Sequence, residues 1–336
     1  MINRIIYLGY YFLKTPKKQF YKNFHFVKEK KKITSLSLYK DVLFSSLKYN
    51  ISLMDYFKLR FFDKTKEERS EYAGSGFMYG YQLKMNPKES RDILEDKVKF
   101  LEYFKDYAGR KWATIEMLES NKSLAADFLK DKHGKIVLKN SKGQAGKEVV
   151  VMETKNLSTA DLLVLMKKNN FDLIESFVVQ HDELMKIAPK GLNTARIITQ
   201  YHNNKIIIIG TSLRLSVHLN IDNISAGNFA VPVDTETGIV TAPGIYTDVT
   251  KDDVYQHPLT GIDLIGFKVP FWKECIETTT KAALLTPQNK SIGWDVAITN
   301  SGPLLIEGNH NWNNDLWQMP VRKGLKKVLL QFMNNN

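Results

Sequence analysis

Two short strand-like runs near the end of the chain, 291–299 and 303–307, constrain its fold most strongly. The residues between them, Asn300-Ser301-Gly302, suit a tight turn, because glycine supplies the left-handed position that many hairpin loops require. Side chains alternate between the two faces of a strand. The sequence therefore predicts a hairpin with one polar face and one apolar core face, the latter formed by Trp294, Val296 and Ile298.

The polar face of this hairpin carries oxygen-bearing side chains. With a three-residue turn, Thr299 faces Pro303, and counting back places Asp295 opposite Glu307. Asn309 lies two residues after Glu307 and shares its face. Carboxylate and amide oxygens suit Mg²⁺, which keeps coordination positions open for phosphate. We expect a magnesium site at Asp295, Glu307 and Asn309; the alternative is an ordinary polar strand face.

The remaining periodicity mixes helices and strands. Apolar residues at helical spacing predict helices at 36–70, 90–108, 124–130, 159–168, 270–285 and 316–332. Period-two patterns predict further strands at 135–139, 148–153, 172–178, 195–202, 205–212, 229–233 and 239–242. The first two of these strands flank a polar loop at 140–147, and Asn203-Asn204 suits a tight turn. The chain is therefore expected to adopt an α/β (α+β) fold.

Charge and cysteine content exclude several classes of protein. The net charge is +12, but residues 1–35 hold nine Lys and Arg residues against Glu29, so this segment alone carries +8. The near-neutral remainder argues against a nucleic-acid-binding protein. The single cysteine, Cys275, excludes an internal disulfide and a cysteine-rich zinc module, and it fits a reducing cytoplasm.

The basic segment 1–35 also interleaves aromatic residues with lysines. Its apolar stretch 5–13 is too short to span a bilayer, and no secretory signal is expected. The composition is compatible with peripheral contact at the inner face of the membrane. The alternative is an N-terminal helix that packs on its own domain.

Several stretches occur in an order that resembles a known family. They are Leu192-Asn-Thr-Ala-Arg-Ile-Ile-Thr199, Asp222-Asn-Ile-Ser-Ala-Gly227, His257-Pro-Leu-Thr-Gly261, Pro270-Phe-Trp272 and Gly293-Trp-Asp-Val296. Together with the hairpin, they resemble the ATP-grasp fold, and more narrowly the sugar-transfer-associated ATP-grasp proteins of bacterial polysaccharide gene clusters. The resemblance runs from about residue 97 to 318, roughly two-thirds of the chain, and does not cover residues 1–90.

The resemblance implies a small lid subdomain over a larger, mostly antiparallel sheet domain, preceded by a helical region. The boundaries expected from it are a basic aromatic arm at 1–35, a helical region at 36–109, the lid at 110–177 and the catalytic subdomain at 178–336. It also implies ATP and Mg²⁺ as cofactors.

The same resemblance assigns residues to the nucleotide. Lys139 would contact the α- and β-phosphates, and Lys97 would be the second phosphate lysine. Gly143 and Gly146 would let the loop backbone approach phosphate. The strand at 172–178 would lie under adenine, with Glu175 as its carboxylate. Further contacts to the base or ribose are assigned to Phe177, Val178, and either Asp182 or Glu183, between which the sequence does not choose.

Three further elements complete the expected site. Arg196 and Arg214 fall on successive strands, and each could direct a guanidinium at the γ-phosphate or at a substrate carboxylate. Asn223 and Ser225 resemble a family Asn-x-Ser-x-Gly-Gly stretch, although Asn228 replaces its second glycine. The resemblance makes these two residues and the loop histidine His257 candidates for substrate binding.

The function expected from this reading is ATP-dependent carboxylate–amine ligation through an acylphosphate. The substrates would be small-molecule or glycan carboxylates and amines, with a sugar acid joined to an amino acid in surface-polysaccharide synthesis. The alternatives are a sugar phosphotransferase on the same fold and a non-catalytic nucleotide-binding module that recruits glycan enzymes to the membrane. The variant Asp295→Asn is expected to lose ATP turnover and keep its fold.

Overall fold

The computed structural model describes residues 2–143, 149–217 and 227–333 and contains two antiparallel sheets. The four-stranded sheet has the order β1-β4-β2-β3. Its strands are β1 Trp112–Thr114, β2 Lys135–Lys139, β3 Val149–Glu153 and β4 Leu173–Ser176. The predicted hairpin pairs β2 with β3, from Lys135 opposite Glu153 to Lys139 opposite Val149. All four strands fall inside the predicted lid range 110–177.

The five-stranded sheet forms the larger part of the molecule and has the order β7-β6-β5-β8-β9. Its strands are β5 Thr194–His202, β6 Lys205–Leu215, β7 Phe229–Pro232, β8 Ser291–Thr299 and β9 Gly302–Asn309. Asn203 and Asn204 join β5 to β6 with φ values of 49° and 59°, so the predicted tight turn is confirmed. The predicted strand at 239–242 was wrong, because only isolated bridges form there, such as Val233 with Val240.

The β8–β9 hairpin reaches its predicted pairing by a different route. Its turn has two residues, Asn300 and Ser301, because Thr299 pairs with Gly302. The predicted pairing of Thr299 with Pro303 was therefore wrong. A β-bulge then adds one residue to β9, so that Asp295 lies opposite Glu307 after all. The turn is one residue shorter than predicted and the bulge adds one residue, so Asp295 and Glu307 keep their predicted pairing.

The apolar face of this sheet packs on helix α14, Trp272–Leu285. Trp294, Val296 and Ile298 are fully buried there, as their alternation predicted. Cys275 lies in the same core, and burial raises the pKa of its thiol to about 12. A thiol with that pKa is protonated at neutral pH, which makes Cys275 a packing residue.

Sixteen α-helices are present in the described residues. They are α1 Ile2–Lys14, α2 Lys17–Lys31, α3 Ser35–Tyr49, α4 Leu53–Lys58, α5 Lys66–Ser70, α6 Ser75–Met85, α7 Asp92–Glu95, α8 Lys97–Tyr103, α9 Lys105–Ala108, α10 Ile115–Ser120, α11 Lys122–Leu129, α12 Thr159–Lys168, α13 Asp182–Ile187, α14 Trp272–Leu285, α15 Asp315–Val321 and α16 Lys326–Met333. Short 3₁₀ turns occupy Phe61–Asp63 and Lys88–Ser90. No helix in this part of the chain is long and apolar enough to cross a membrane.

Local caps divide three of the predicted helices. The 36–70 prediction was wrong as one helix, because Asn50 adopts φ 54° and Ser52 then begins α4 with a capping box. The 90–108 helix is interrupted at Asp96, whose side chain accepts hydrogen bonds from the first backbone N–H groups of α8. The terminal helix breaks at Arg322, with φ 55°. Helices α1 to α4 share an apolar core with Ile245, Val249 and Met319.

Candidate active site

Asp295 lies at the centre of the five-stranded sheet and is almost completely buried. Arg196, its register partner on β5, donates from Nε to Oδ1 at 2.6 Å and from Nη2 to Oδ2 at 3.1 Å. Arg214 on β6 places Nη2 2.8 Å from the same Oδ2. Burial alone would raise the pKa of Asp295, but the two guanidinium groups outweigh it and hold that pKa at about 2. The carboxylate is therefore ionised at neutral pH.

Glu307 and Asn309 extend this cluster along β9. Glu307 is the register partner of Asp295 on β9, and Asn309 Nδ2 donates to Glu307 Oε1 at 3.2 Å. The predicted metal trio therefore comes together on one face. Two carboxylates and an amide oxygen are a donor set that fits Mg²⁺. Among the residues the structure describes, no group of three or more His, Cys, Asp and Glu side chains is placed to hold a metal ion.

Gly293 lets Trp312 and Arg196 approach the strand backbone closely beside Asp295. A Cβ added to Gly293 would lie 2.5 Å from the Trp312 Cβ and 3.2 Å from Arg196 Nη1. Both distances are too short for a normal contact, so a side chain there would displace the arginine. Nη1 itself makes no hydrogen bond within the described residues and remains a donor for an incoming anion.

A second buried carboxylate, Glu175 on β4, lies in the four-stranded sheet. Arg110 Nε donates to its Oε2 at 2.6 Å, and Lys139 Nζ donates to the same oxygen at 2.7 Å. Burial would raise the pKa of Glu175, but Arg110 and Lys139 lower it to about 2. The predicted phosphate lysine and the predicted adenine-strand carboxylate are thus an ion pair.

Arg110 was missed by the sequence reasoning. Besides Glu175, its Nη1 donates to the carbonyl of Leu305 at 2.6 Å and its Nη2 to that of Ile306 at 3.1 Å. These carbonyls belong to the bulge that aligns Glu307 with Asp295, so Arg110 joins the two sheets at the site. Apart from the Ala108 carbonyl, its partners lie 65 to 196 residues away in sequence, and only its position after the helix-ending Gly109 marked it.

Lys97 lies between the two clusters at the start of α8. Its Nζ donates to the carbonyls of Asn140 at 3.1 Å, Ser141 at 3.3 Å and Gly143. Burial lowers the pKa of Lys97, and nearby Glu307 acts in the opposite direction. This lysine therefore holds the start of the 140–147 loop close to the metal-ligand candidates. Gly146 lies outside the described residues.

The residues predicted for the base and ribose follow β4. Phe177 faces the ammonium group of Lys135 at 5.5 Å, and Val178 is half-buried. Asp182 Oδ1 accepts from Asn300 on the β8–β9 turn at 3.1 Å, which links it to the hairpin. Glu183 pairs with Lys186 at 2.6 Å. Asp182 and Glu183 are both exposed, so both stay candidates for the ribose contact.

The substrate candidates fall in or beside the 218–226 segment. Asn223 and Ser225 lie outside the described residues. His257 is completely buried, with Nε2 3.2 Å from the Ser216 carbonyl oxygen and its ring against Phe229. Burial lowers the pKa of this histidine, which favours a neutral ring. In this position His257 supports the backbone that leads into the segment.

The sequence of this chain matches one family of known proteins. The pattern of the family described as sugar-transfer associated ATP-grasp matches residues 77–334. This chain belongs to that family. The ATP-grasp match thus begins about twenty residues before the first resembling residue, Lys97, and leaves residues 1–76 outside. No curated protein matches the sequence.

Several solved structures are similar to this chain at low sequence identity. An N5-carboxyaminoimidazole ribonucleotide synthetase in its ADP complex has a TM-score of 0.42 and 9% identity, over 66% of this chain and 46% of its own. The D-alanyl-alanine synthetase A of Vibrio cholerae has 0.42 and 11%, over 74% and 62%. The L-amino acid ligase of Bacillus licheniformis has 0.44 and 11%, over 72% and 48%. The chain spans about half to three-fifths of the length of these solved proteins.

Proposed function

We propose that this protein is an ATP-dependent carboxylate–amine ligase. The observation that carries the proposal is the convergence of Asp295, Glu307 and Asn309 on one face, with Arg196 and Arg214 beside them. Burying charged groups is costly, because each of them must be removed from water. A scaffold without nucleotide chemistry has no need to bury these charges together.

The cations of the two sheets would act on the phosphates of ATP. Lys139 is paired with Glu175, and Arg110 remains on that carboxylate if the lysine turns toward a phosphate. From the five-stranded sheet, the Nη1 group of Arg196 would donate to a phosphate of ATP. Mg²⁺ on Asp295, Glu307 and Asn309 would supply neutralisation of phosphate charge. The chain's own role is to position the phosphates and stabilise charge on the transferred group.

The proposed reaction has two balanced steps. An oxygen of the substrate carboxylate attacks the γ-phosphorus of ATP, ADP leaves, and an acylphosphate forms. The amine nitrogen then attacks the acyl carbon, phosphate leaves, and the amine loses a proton to give the amide. Because an acylphosphate hydrolyses in water, closure of the four-stranded sheet over the site would protect it.

The acceptor we propose is a sugar acid, and the donor amine an amino acid, in the synthesis of a surface glycan. This choice rests on the family's association with sugar transfer, which is an argument from relatedness. A phosphotransferase acting on a sugar hydroxyl would use the same nucleotide machinery. The two activities differ in their products, an amide with free phosphate or a phosphosugar.

The test combines binding with product analysis. ATP is titrated calorimetrically into the protein with and without Mg²⁺, and uronic acids paired with amino acids are then screened for phosphate release and amide mass. Glu307→Gln is expected to lower turnover about 100-fold, while the exposed control Glu277→Gln leaves it unchanged. A phosphosugar product would select the phosphotransferase. Mg²⁺-dependent ATP binding without turnover of any pair would favour the nucleotide-binding module and overturn the ligase proposal.

A further inference from the structure

The outward face of α1 is apolar. Ile6, Tyr10 and Leu13 are spaced i, i+4 and i+7, and they are 64%, 54% and 86% exposed. The opposite side of the helix supplies the buried Tyr11 and the partly buried Leu8 to the N-terminal core. A surface helix of a globular protein normally turns a polar face to water. Helix α1 thus carries apolar side chains on both sides, and one side has no cover within the described residues.

Helix α3 repeats the pattern. Leu36, Phe44 and Leu47 share one side at i, i+8 and i+11, and all three are exposed. Its other side, which includes Leu38 and Val42, is fully buried.

The two helices lie side by side. Arg4 Nη1 on α1 donates to the carbonyls of Leu47 at 3.2 Å and Lys48 at 2.9 Å on α3. We name the six exposed residues the α1–α3 face: Ile6, Tyr10, Leu13, Leu36, Phe44 and Leu47. Exposed apolar side chains grouped on two adjoining helices mark an interaction surface.

The segment that carries this face is rich in positive charge. Residues 1–48 contain eleven Lys and Arg residues against two acids, Glu29 and Asp41. Asp41 is committed inward, to Arg69 at 2.6 Å and to the Tyr56 hydroxyl at 2.6 Å. Among the exposed lysines that make no ion pair with any described residue are Lys14, Lys17, Lys18 and Lys40. Free positive charge beside apolar side chains selects for a surface that is both apolar and anionic.

We propose that the α1–α3 face docks the protein on an anionic lipid bilayer surface, with its apolar side chains at the acyl boundary and the lysines among the headgroups. A second copy of the chain is a poorer occupant, because a symmetric contact would bring two basic surfaces together. The helices are too short and charged to span the bilayer, so the protein lies on it. The sequence predicted peripheral membrane contact for residues 1–35, and the α1–α3 face extends that contact to α3. The proposal does not depend on the proposed ligase activity.

Vesicle flotation tests this proposal on the full chain. Vesicles of phosphatidylcholine alone are compared with vesicles that contain 30% phosphatidylglycerol, at low and high salt. We expect binding to the anionic vesicles only, weakened by salt. The double variant Ile6→Ser/Leu13→Ser should lower it at least about tenfold, and Lys17→Glu/Lys18→Glu by a similar factor, since each lysine contributes roughly fivefold at an anionic surface. The matched control Val164→Ser/Leu284→Ser changes exposed apolar residues elsewhere and should bind normally.

Specific outcomes would overturn the proposal. Equal binding to neutral and anionic vesicles would remove the role of the lysines. A dimer in light scattering that dissociates in Ile6→Ser/Leu13→Ser, without vesicle binding by the native chain, would assign the face to a second copy. Circular dichroism and ATP titration of each variant show whether the fold is retained, and a variant that fails to fold is replaced by Leu36→Ser/Phe44→Ser on the neighbouring helix.

Discussion

Each sheet buries one carboxylate, and the chain neutralises the two carboxylates in different ways. Asp295 is held by two arginines, which stay charged at any accessible pH. Glu175 is held by one arginine and one lysine, and that lysine lies at the edge of the buried region. The first cluster is therefore locked, whereas the second can release Lys139 to a ligand and still keep one cation. The difference distinguishes the part of the site whose ion pairs persist from the part whose lysine can change partners.

Acid should affect both clusters together and give the largest effect. The pKa of each carboxylate lies near 2 in the folded chain, below its unfolded value near 4. A depressed folded pKa means that the stabilisation is present above about pH 4 and is lost as the pH falls toward 2. We expect roughly 5 kcal/mol of unfolding free energy to disappear over that window. Urea denaturation at a series of pH values measures this loss. An unfolding free energy that does not change with pH would contradict its assignment to these two carboxylates.

Asp295→Asn should give the largest loss among single variants. It leaves Arg196 and Arg214 buried beside a neutral amide, which costs about 4 kcal/mol when a buried ion pair is broken. The sequence alone suggested that this variant would keep its fold, and the two arginine contacts argue against that expectation. Urea denaturation at pH 7 measures the loss. The exposed variant Asp92→Asn is the control and should unfold like the native chain.

Glu175→Gln should cost less, about 2 kcal/mol. Arg110 keeps the carbonyls of Leu305 and Ile306 as acceptors, and Lys139 can reach water. The same denaturation series compares the two variants directly. If Glu175→Gln proved as destabilising as Asp295→Asn, the distinction between a locked and an exchangeable cluster would be lost.

Lys139→Met should separate stability from binding. Arg110 still neutralises Glu175, so the unfolding free energy should fall by only about 1 kcal/mol. The apparent affinity for ATP should fall at least about tenfold, because a charge-assisted phosphate contact is removed. Calorimetric titration checks this against Lys167→Met, a surface lysine paired with Glu119. Unchanged ATP affinity would remove Lys139 from the phosphate site.

The hairpin shows what the sequence could predict and what it could not. Alternation along 291–299 predicted which side chains reach the core, because a strand has only two faces. The turn length was wrong, since a bulge has no signature in an apolar alternation. The long helix at 36–70 was broken by Asn50 and by the cap at Ser52, where side-chain hydrogen bonds outweigh the apolar period.

Arg110 illustrates a second limit. Its role depends on partners in β4 and β9, which no local pattern connects to residue 110. The predicted metal ligands, by contrast, lie within fifteen residues of one hairpin, so counting along the strands was enough to place Asp295, Glu307 and Asn309 together. The site could be predicted where it is local and was missed where it is assembled across sheets.

The bulge on β9 also bears on how related chains can differ in length. A strand register shifts its whole set of side chains to the other face when one residue is gained or lost. Here the bulge next to Glu307 absorbs one residue, and the carbonyls around it are held by Arg110. A relative with a three-residue turn and no bulge would present the same carboxylate pair. Loop insertions and deletions at residues 300–302 can therefore accumulate in this family without moving the ligand positions, provided that the strand gains or gives up its extra residue in step.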